Sequence, residues 1–220
     1  MRGTFDGTGE AVVVTDSESL FSHYCDANAI PCTRIRRSSQ RTPDYRIRLQ
    51  ATDVVCEVKQ LMSDVESAAW KEAVARGTGG HFVKNRLRSK VADASSQLES
   101  DSVAGTPTVV VVFDNTPFAG ELGHESVTQA LYGTIRYPVI ASGDEEPALG
   151  DPFLDGDGAF DSPENSTVSA LAVLEDVRGS VRLCVYHNLR AAVPLDPELL
   201  RCLPVEQVVL PGDTSIDVEA

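Results

Sequence analysis

"DVVCEVKQL", residues 53–61, decides how this chain is read. Val54, Val55, Cys56, Val58 and Leu61 make it a short apolar strand of the kind buried in a sheet. Glu57 and Lys59 interrupt that run, two residues apart. Side chains on a strand alternate between faces, so the carboxylate and the ammonium point the same way. Charges placed in a buried element need a reason, because burial is costly unless they are paired or used.

The surroundings read as a mixed α/β arrangement. Upstream, "CTRIRRS" (32–38) and "DYRIRL" (44–49) alternate like two strands. Ile35, then Tyr45, Ile47 and Leu49, take one face, and the arginines take the other. "QATD" (50–53) is short enough for a hairpin into the third strand. Before these, 17–29 reads as a helix with Leu20, Phe21, Tyr24 and Ala27 on one stripe. Thr15 and Glu18 have capping-box spacing at its start. After them, 62–76 is helical (Met62, Val65, Ala69, Ala73) and closes at Gly77. "GTGGHFVKN" (77–85) reads as a flexible loop. A helix over 86–99 buries Leu87, Val91, Ala94 and Leu98, with Arg86, Lys90, Asp93 and Gln97 along its edge. "TPTVVVVFDN" (106–115) is a strand buried on both faces.

The C-terminal half is less distinctive. A helix is expected over 122–132, ended by Gly133, then an acidic loop over 141–166. "TVSALAVLED" (167–176) and "SVRLCVYHN" (180–188) form a hairpin around Arg178-Gly179, and a short helix starts at Asp196-Pro197. The expected organisation is one domain over 11–210, with a core at 11–115 and an extension at 116–210. Residues 1–10 are expected to be flexible and 211–220 to be a disordered tail.

Composition narrows the function. Net charge is −14, against a generic nucleic-acid binder. The distribution says more than the sum. Arg34, Arg36, Arg37, Arg41, Arg46 and Arg48 crowd one stretch, and Lys84, Arg86, Arg88 and Lys90 another. Arginines far outnumber lysines, and an acidic, lysine-poor surface is also what a salty cytoplasm selects. No apolar run approaches the length of a membrane span, and the first ten residues lack the apolar core of a signal peptide. Five scattered cysteines without a CxxC suit reduced thiols in a cytoplasmic protein and no structural zinc site.

Pro43-Asp44, thirteen positions on to Glu57, and then Lys59, resembles the PD-(D/E)XK nuclease superfamily, whose fold is restriction-endonuclease-like. The resemblance covers about half the chain, and the order helix, three strands, helix, strand is similar to that fold. It implies a mixed central sheet flanked by helices, with a C-terminal extension holding a β-hairpin. It also implies that Asp44 and Glu57 ligate Mg²⁺ or Mn²⁺, that Lys59 positions the attacking water, and that Glu18 completes the metal site. Physical chemistry supports such a set. Phosphodiester hydrolysis needs charge neutralisation on the phosphate and a nucleophile at neutral pH. A hard cation on two or three carboxylates supplies both, and a lysine beside it stabilises developing negative charge. The arginines of 34–48, with Lys84, Arg86, Lys90 and Gln97, would grip the backbone of a nucleic acid, expected to be DNA.

Each of these residues also has a structural reading. Glu18 sits where a helix cap needs it. Gln97 and Lys90 fit a solvated helix edge. Gln60 follows Lys59 and is expected on the opposite face. "DPFLDGDGAFD" (151–161) has calcium-loop composition without the spacing, and reads as a solvated acidic loop. His187 reads as structural or exposed, and no nucleophile triad is arranged in the chain. The competing function is a catalytically inactive nuclease fold acting as a nucleic-acid-binding or assembly module, with Glu57 and Lys59 as a structural ion pair. A homodimer or a partner protein is a further expectation.

Overall fold

The computed structural model describes residues 4–5, 11–12, 15–36, 42–99, 103–115, 123–140, 148–151, 153–177 and 179–210. Arg37 and Arg41, residues 141–147 and 152 of the acidic loop, and the tail 211–220 lie outside them, as do most of residues 1–10, of which Thr4–Phe5 pairs with Ala11–Val12.

Helix α1 (Asp16–Ala27) starts on a reciprocal cap. The Thr15 hydroxyl accepts from the Glu18 amide, and the Glu18 carboxylate accepts from the Thr15 amide at 2.7 Å. Phe21, Tyr24 and Cys25 are its buried apolar residues. Strands β1 (Cys32–Arg34), β2 (Tyr45–Leu49) and β3 (Thr52–Gln60) then pair antiparallel in chain order. Two residues turn β2 into β3, and Gln50 takes a φ of 52° to do so.

Helices α2 (Asp64–Ala75) and α3 (Gly79–Leu98) carry the chain over to β4 (Thr108–Phe113), which lies parallel to β3. Parallel neighbours need such a crossover. Helix α4 (His124–Tyr132) precedes β5 (Ala170–Val177), parallel to β4. Strand β6 (Ser180–His187) returns antiparallel, and β7 (Val205–Val208) pairs parallel with it at the edge. Order in the seven-stranded sheet equals order in the chain, from β1 to β7. Strand β4 is therefore the middle strand, which explains why Val109 to Val112 are all buried.

Alternation splits the sheet into two packed faces. Ile47, Val54, Cys56, Val58, Val109 and Val111 meet α1 and the 3-10 turn Pro197–Leu200. Val55, Val110, Val112, Leu171 and Val173 meet Trp70, Leu87, Val91, Ala94, Leu98 and Leu131 of the other helices. The architecture is α/β, with a mixed sheet between helical layers. The C-terminal hairpin extends this same sheet. Cys25 and Cys56 are buried, Cys202 is exposed, and the five thiols are free. No helix among the described residues is long and apolar enough to cross a membrane.

Three expectations change. The glycine-rich stretch 77–85 is not a loop: α3 starts at Gly79. A side chain there would meet Val74 Cγ2 at 2.7 Å, so a residue poor in helix propensity allows α2 and α3 to close together. Val83 then heads the buried stripe that Leu87, Val91, Ala94 and Leu98 continue. In α2 the anchor is Trp70, while Ala69 is exposed and Met62 is buried in the turn before the helix. The acidic segment is not simply solvated. Asp155 pairs with Arg136, Asp157 with Arg88 and Asp161 with Arg190.

Val83→Ala tests the long α3. Removing two buried methyl groups from the first turns of a packed helix costs about 2 kcal/mol in urea unfolding. A loop residue at that position would lose almost nothing.

Candidate active site

Strand register builds the site. Tyr45 stands opposite Cys56 across β2 and β3, so Asp44, one step earlier, faces the level of Glu57. Asp44 Oδ2 accepts from the Val58 amide at 2.9 Å, tying the start of β2 to β3. Glu57 is 3% exposed. Lys59 follows on the same face and donates to Glu57 Oε1 at 2.7 Å and to Gln97 Oε1 at 2.6 Å. Gln97 reaches it from the last turns of α3. The second carboxylate oxygen, Glu57 Oε2, is buried with no hydrogen-bond donor.

These residues border a cleft of about 480 Å³ over one end of the sheet. Thr15, Ser17 and Glu18 enter from α1, Lys90 and Gln97 from α3, and Thr42, Asp44 and residues 57–60 form the floor between them. Ser63, the cap of α2, closes the rim. The cleft thus opens where the two helical layers meet at the end of β3.

Burial pushes the Glu57 carboxyl up to about 7, and the nearby Asp44 charge pushes the same way. The Lys59 ammonium opposes both, without cancelling them. Two ionised carboxylates can only accept, so Glu57 and Asp44 bond to each other only when one holds a proton. Lys90 titrates low, because it is partly buried and stands near Arg86 and Lys59.

Glu18 serves the cap and borders the cleft at once. It is 2% exposed; Oε2 accepts from the Thr15 amide and, at 2.9 Å, from its hydroxyl. Its Oε1 pairs with Arg34 at 2.5 Å, and that guanidinium lies 5.9 Å from the Tyr45 ring centre. Among the described residues no three His, Cys, Asp or Glu side chains are grouped to hold a metal ion. The carboxylates on the cleft floor that could hold a hard cation are Asp44 and Glu57, the latter with Oε2 buried and without a hydrogen-bond partner. Two carboxylates with waters and phosphate oxygens suit Mg²⁺, so the residues fit.

The described basic residues do not all reach the cleft. Arg46 and Arg48 both turn to Asp53, at 3.4 and 2.6 Å, and hold its carboxyl below the usual range. Arg86 pairs with Glu66, and Lys84 donates to Thr134 Oγ1 at 2.7 Å. Arg36 is exposed, and only Lys90 of the second cluster lines the cleft. Gln60, expected on the far face, also lines it, because the cleft wraps the strand end where the chain turns into Leu61. Ser63 was missed, although Ser63 and Glu66 have capping-box spacing in the sequence. His187 is buried, bonded to Leu195 O and Gln207 Oε1, and structural.

The raised Glu57 carboxyl sets a pH dependence. The folded state holds a proton between about 4.5 and 7 that the unfolded state has lost, so stability falls as pH rises through that window. Against Glu57→Gln, wild type should lose up to about 3 kcal/mol between pH 4.5 and 8 in urea melts. Parallel curves for the two proteins would remove the buried acid from the account.

No family model, no curated protein and no solved structure matches the chain, so the functional reading rests on these residues themselves.

Proposed function

We propose that the chain is a divalent-metal-dependent nuclease of the PD-(D/E)XK type, with a restriction-endonuclease-like core, cutting phosphodiester bonds in DNA. The observation that carries this reading is Glu57 Oε2: a buried, donorless carboxylate oxygen facing a second carboxylate, with an ammonium alongside. A purely structural ion pair would not require Asp44 at the same point, nor a polar cleft above it.

Asp44 and Glu57 would hold the metal. Held there, Mg²⁺ or Mn²⁺ would offset charge on the phosphate and lower the pKa of a bound water. Lys59 carries three N–H donors, of which Glu57 and Gln97 take two. The third is available to orient the attacking water or meet charge developing on the phosphate. Gln97 fixes the ammonium in place. Glu18, shared between Thr15 and Arg34, supports the rim rather than serving as a principal ligand. Lys90 brings positive charge to the cleft wall, where a flanking phosphate would lie.

A second reading has its own support. Glu57, Lys59 and Gln97 form a closed hydrogen-bonded set, Asp44 ties two strands, and the described arginines of β2 are paired with acids. All of this would serve a binding or assembly module equally well.

Cleavage of plasmid and single-stranded DNA with Mg²⁺ or Mn²⁺ separates the two, across a range of salt because phosphate binding is salt-dependent. Wild type should cut. Asp44→Ala and Lys59→Ala should each lose a hundredfold or more, on the order of a lost electrostatic contact in the transition state. Calorimetry should show metal binding by wild type and its loss in Asp44→Ala. A folded wild type that neither cuts nor binds metal would leave the binding module.

A further inference from the structure

The carboxylates and ammonium of the cleft are recessed. Glu57 is 3% exposed, and Lys59 shows 21% of its side chain. Thr15 and Ser17 of the α1 start stand on one side, and Lys90 and Gln97 of α3 on the other. A phosphodiester reaches Lys59 only by descending between these helices. The space is about 480 Å³, a size that takes a drug-sized ligand, about one or two nucleotides. A duplex is stiff, and bringing one of its nucleotides into a recess costs unstacking and unpairing. A single strand bends at each nucleotide and avoids the cost of unpairing.

Charge sets the same limit. Arg34, Arg46, Arg48 and Arg86 are paired with Glu18, Asp53 and Glu66. Among the described residues, Lys59 and Lys90 are the cations that line the cleft. Lys90 stands two turns, about 10 Å, along α3 from Gln97, which holds Lys59. It is placed to meet the phosphate next to the one at Lys59, or the one beyond. Duplex DNA carries a charge about every 1.7 Å of its axis, and one strand about every 3.4 Å. A chain of net charge −14 therefore opposes a duplex more strongly than a single strand.

We propose that the cleft takes single-stranded DNA in preference to duplex, with the scissile phosphate at Lys59 and a neighbouring phosphate on Lys90. Lys90 is then a specificity-determining residue: it holds the strand beside the reacting linkage and takes no part in the chemistry. This placement rests on the nuclease reading, which is what brings a phosphate to Lys59. The preference for a flexible strand comes from the depth, the volume and the charge of the cleft.

Fluorescence anisotropy on the full chain tests it, with a short labelled single strand and the blunt duplex of the same sequence. Ca²⁺, which takes the same kind of oxygen ligands, serves as the metal for binding, and Mg²⁺ replaces it when cutting of the same oligonucleotides is scored. The single strand should bind at least about tenfold tighter than the duplex. Its affinity should fall with salt at a log–log slope of about −1.4, from two lysine contacts at about 0.7 each. Lys90→Ala should halve that slope at an unchanged melting temperature, and in cutting should raise KM with little change in kcat. Lys90→Arg should restore both. A duplex bound as tightly as the single strand, or a slope that Lys90→Ala leaves unchanged, overturns the proposal. A strand preference in a protein that does not cut supports it and counts against the nuclease reading alone. Binding of neither form in the presence of metal overturns both.

Discussion

A carboxylate held inside the sheet is the constraint on which the site depends. Strand β3 must be apolar to pack between two helical layers, yet position 57 carries an acid with almost no access to water. One oxygen is offset by Lys59, which is in turn fixed by Gln97. The other is not offset, and the Asp44 charge adds to its burden. Had stability alone shaped the strand, a valine at 57 would have continued the apolar run at no such cost. The strain is local and is tolerated because the rest of β3 is well packed, with Val54, Val55 and Cys56 essentially inaccessible.

Helix α3 connects this strain to the fold. Its buried stripe runs from Val83 to Leu98, so the helix cannot shift along the sheet without opening that core. Its polar edge is thereby fixed too: Lys84 on the Thr134 hydroxyl, Lys90 on the cleft wall, and Gln97, two turns further, on Lys59. Gly79, where a side chain would meet Val74, allows the early start on which this alignment depends.

The sequence revealed the placement of Asp44, Glu57 and Lys59 better than that of their surroundings. Asp44, Glu57 and Lys59 were legible because strand alternation and an interrupted apolar run are short-range signals, and the order of elements followed from periodicity. Position 79 was not legible, because glycine's local preference opposes helix while the packing that overrides it lies in Val74 and the core. The partners of the described arginines were hidden for a related reason. A run of like charge in sequence does not name its partners: Asp53, just across the hairpin, pairs with Arg46 and Arg48, while Glu66 and Asp157 pair with Arg86 and Arg88. Glu18 shows the opposite case: its cap with Thr15 was readable and is formed, and a helix start placed at the end of a sheet also sets Glu18 on the border of the cleft.

This pairing of arginines with acids bears on how the cleft could work in so acidic a protein. Charges neutralised in local pairs contribute little field at a distance, so the surface does not draw a polyanion by long-range attraction. What remains is concentrated: two carboxylates that a cation would bridge, and two lysines, 59 and 90, on the adjoining wall. On the nuclease reading, a divalent ion would cancel the two carboxylate charges and leave those of Lys59 and Lys90, so the site would turn phosphate-binding only once the metal is seated. Recognition and activation would then be a single event, and the net charge of −14 would protect the empty site from nonspecific nucleic acid rather than argue against its function.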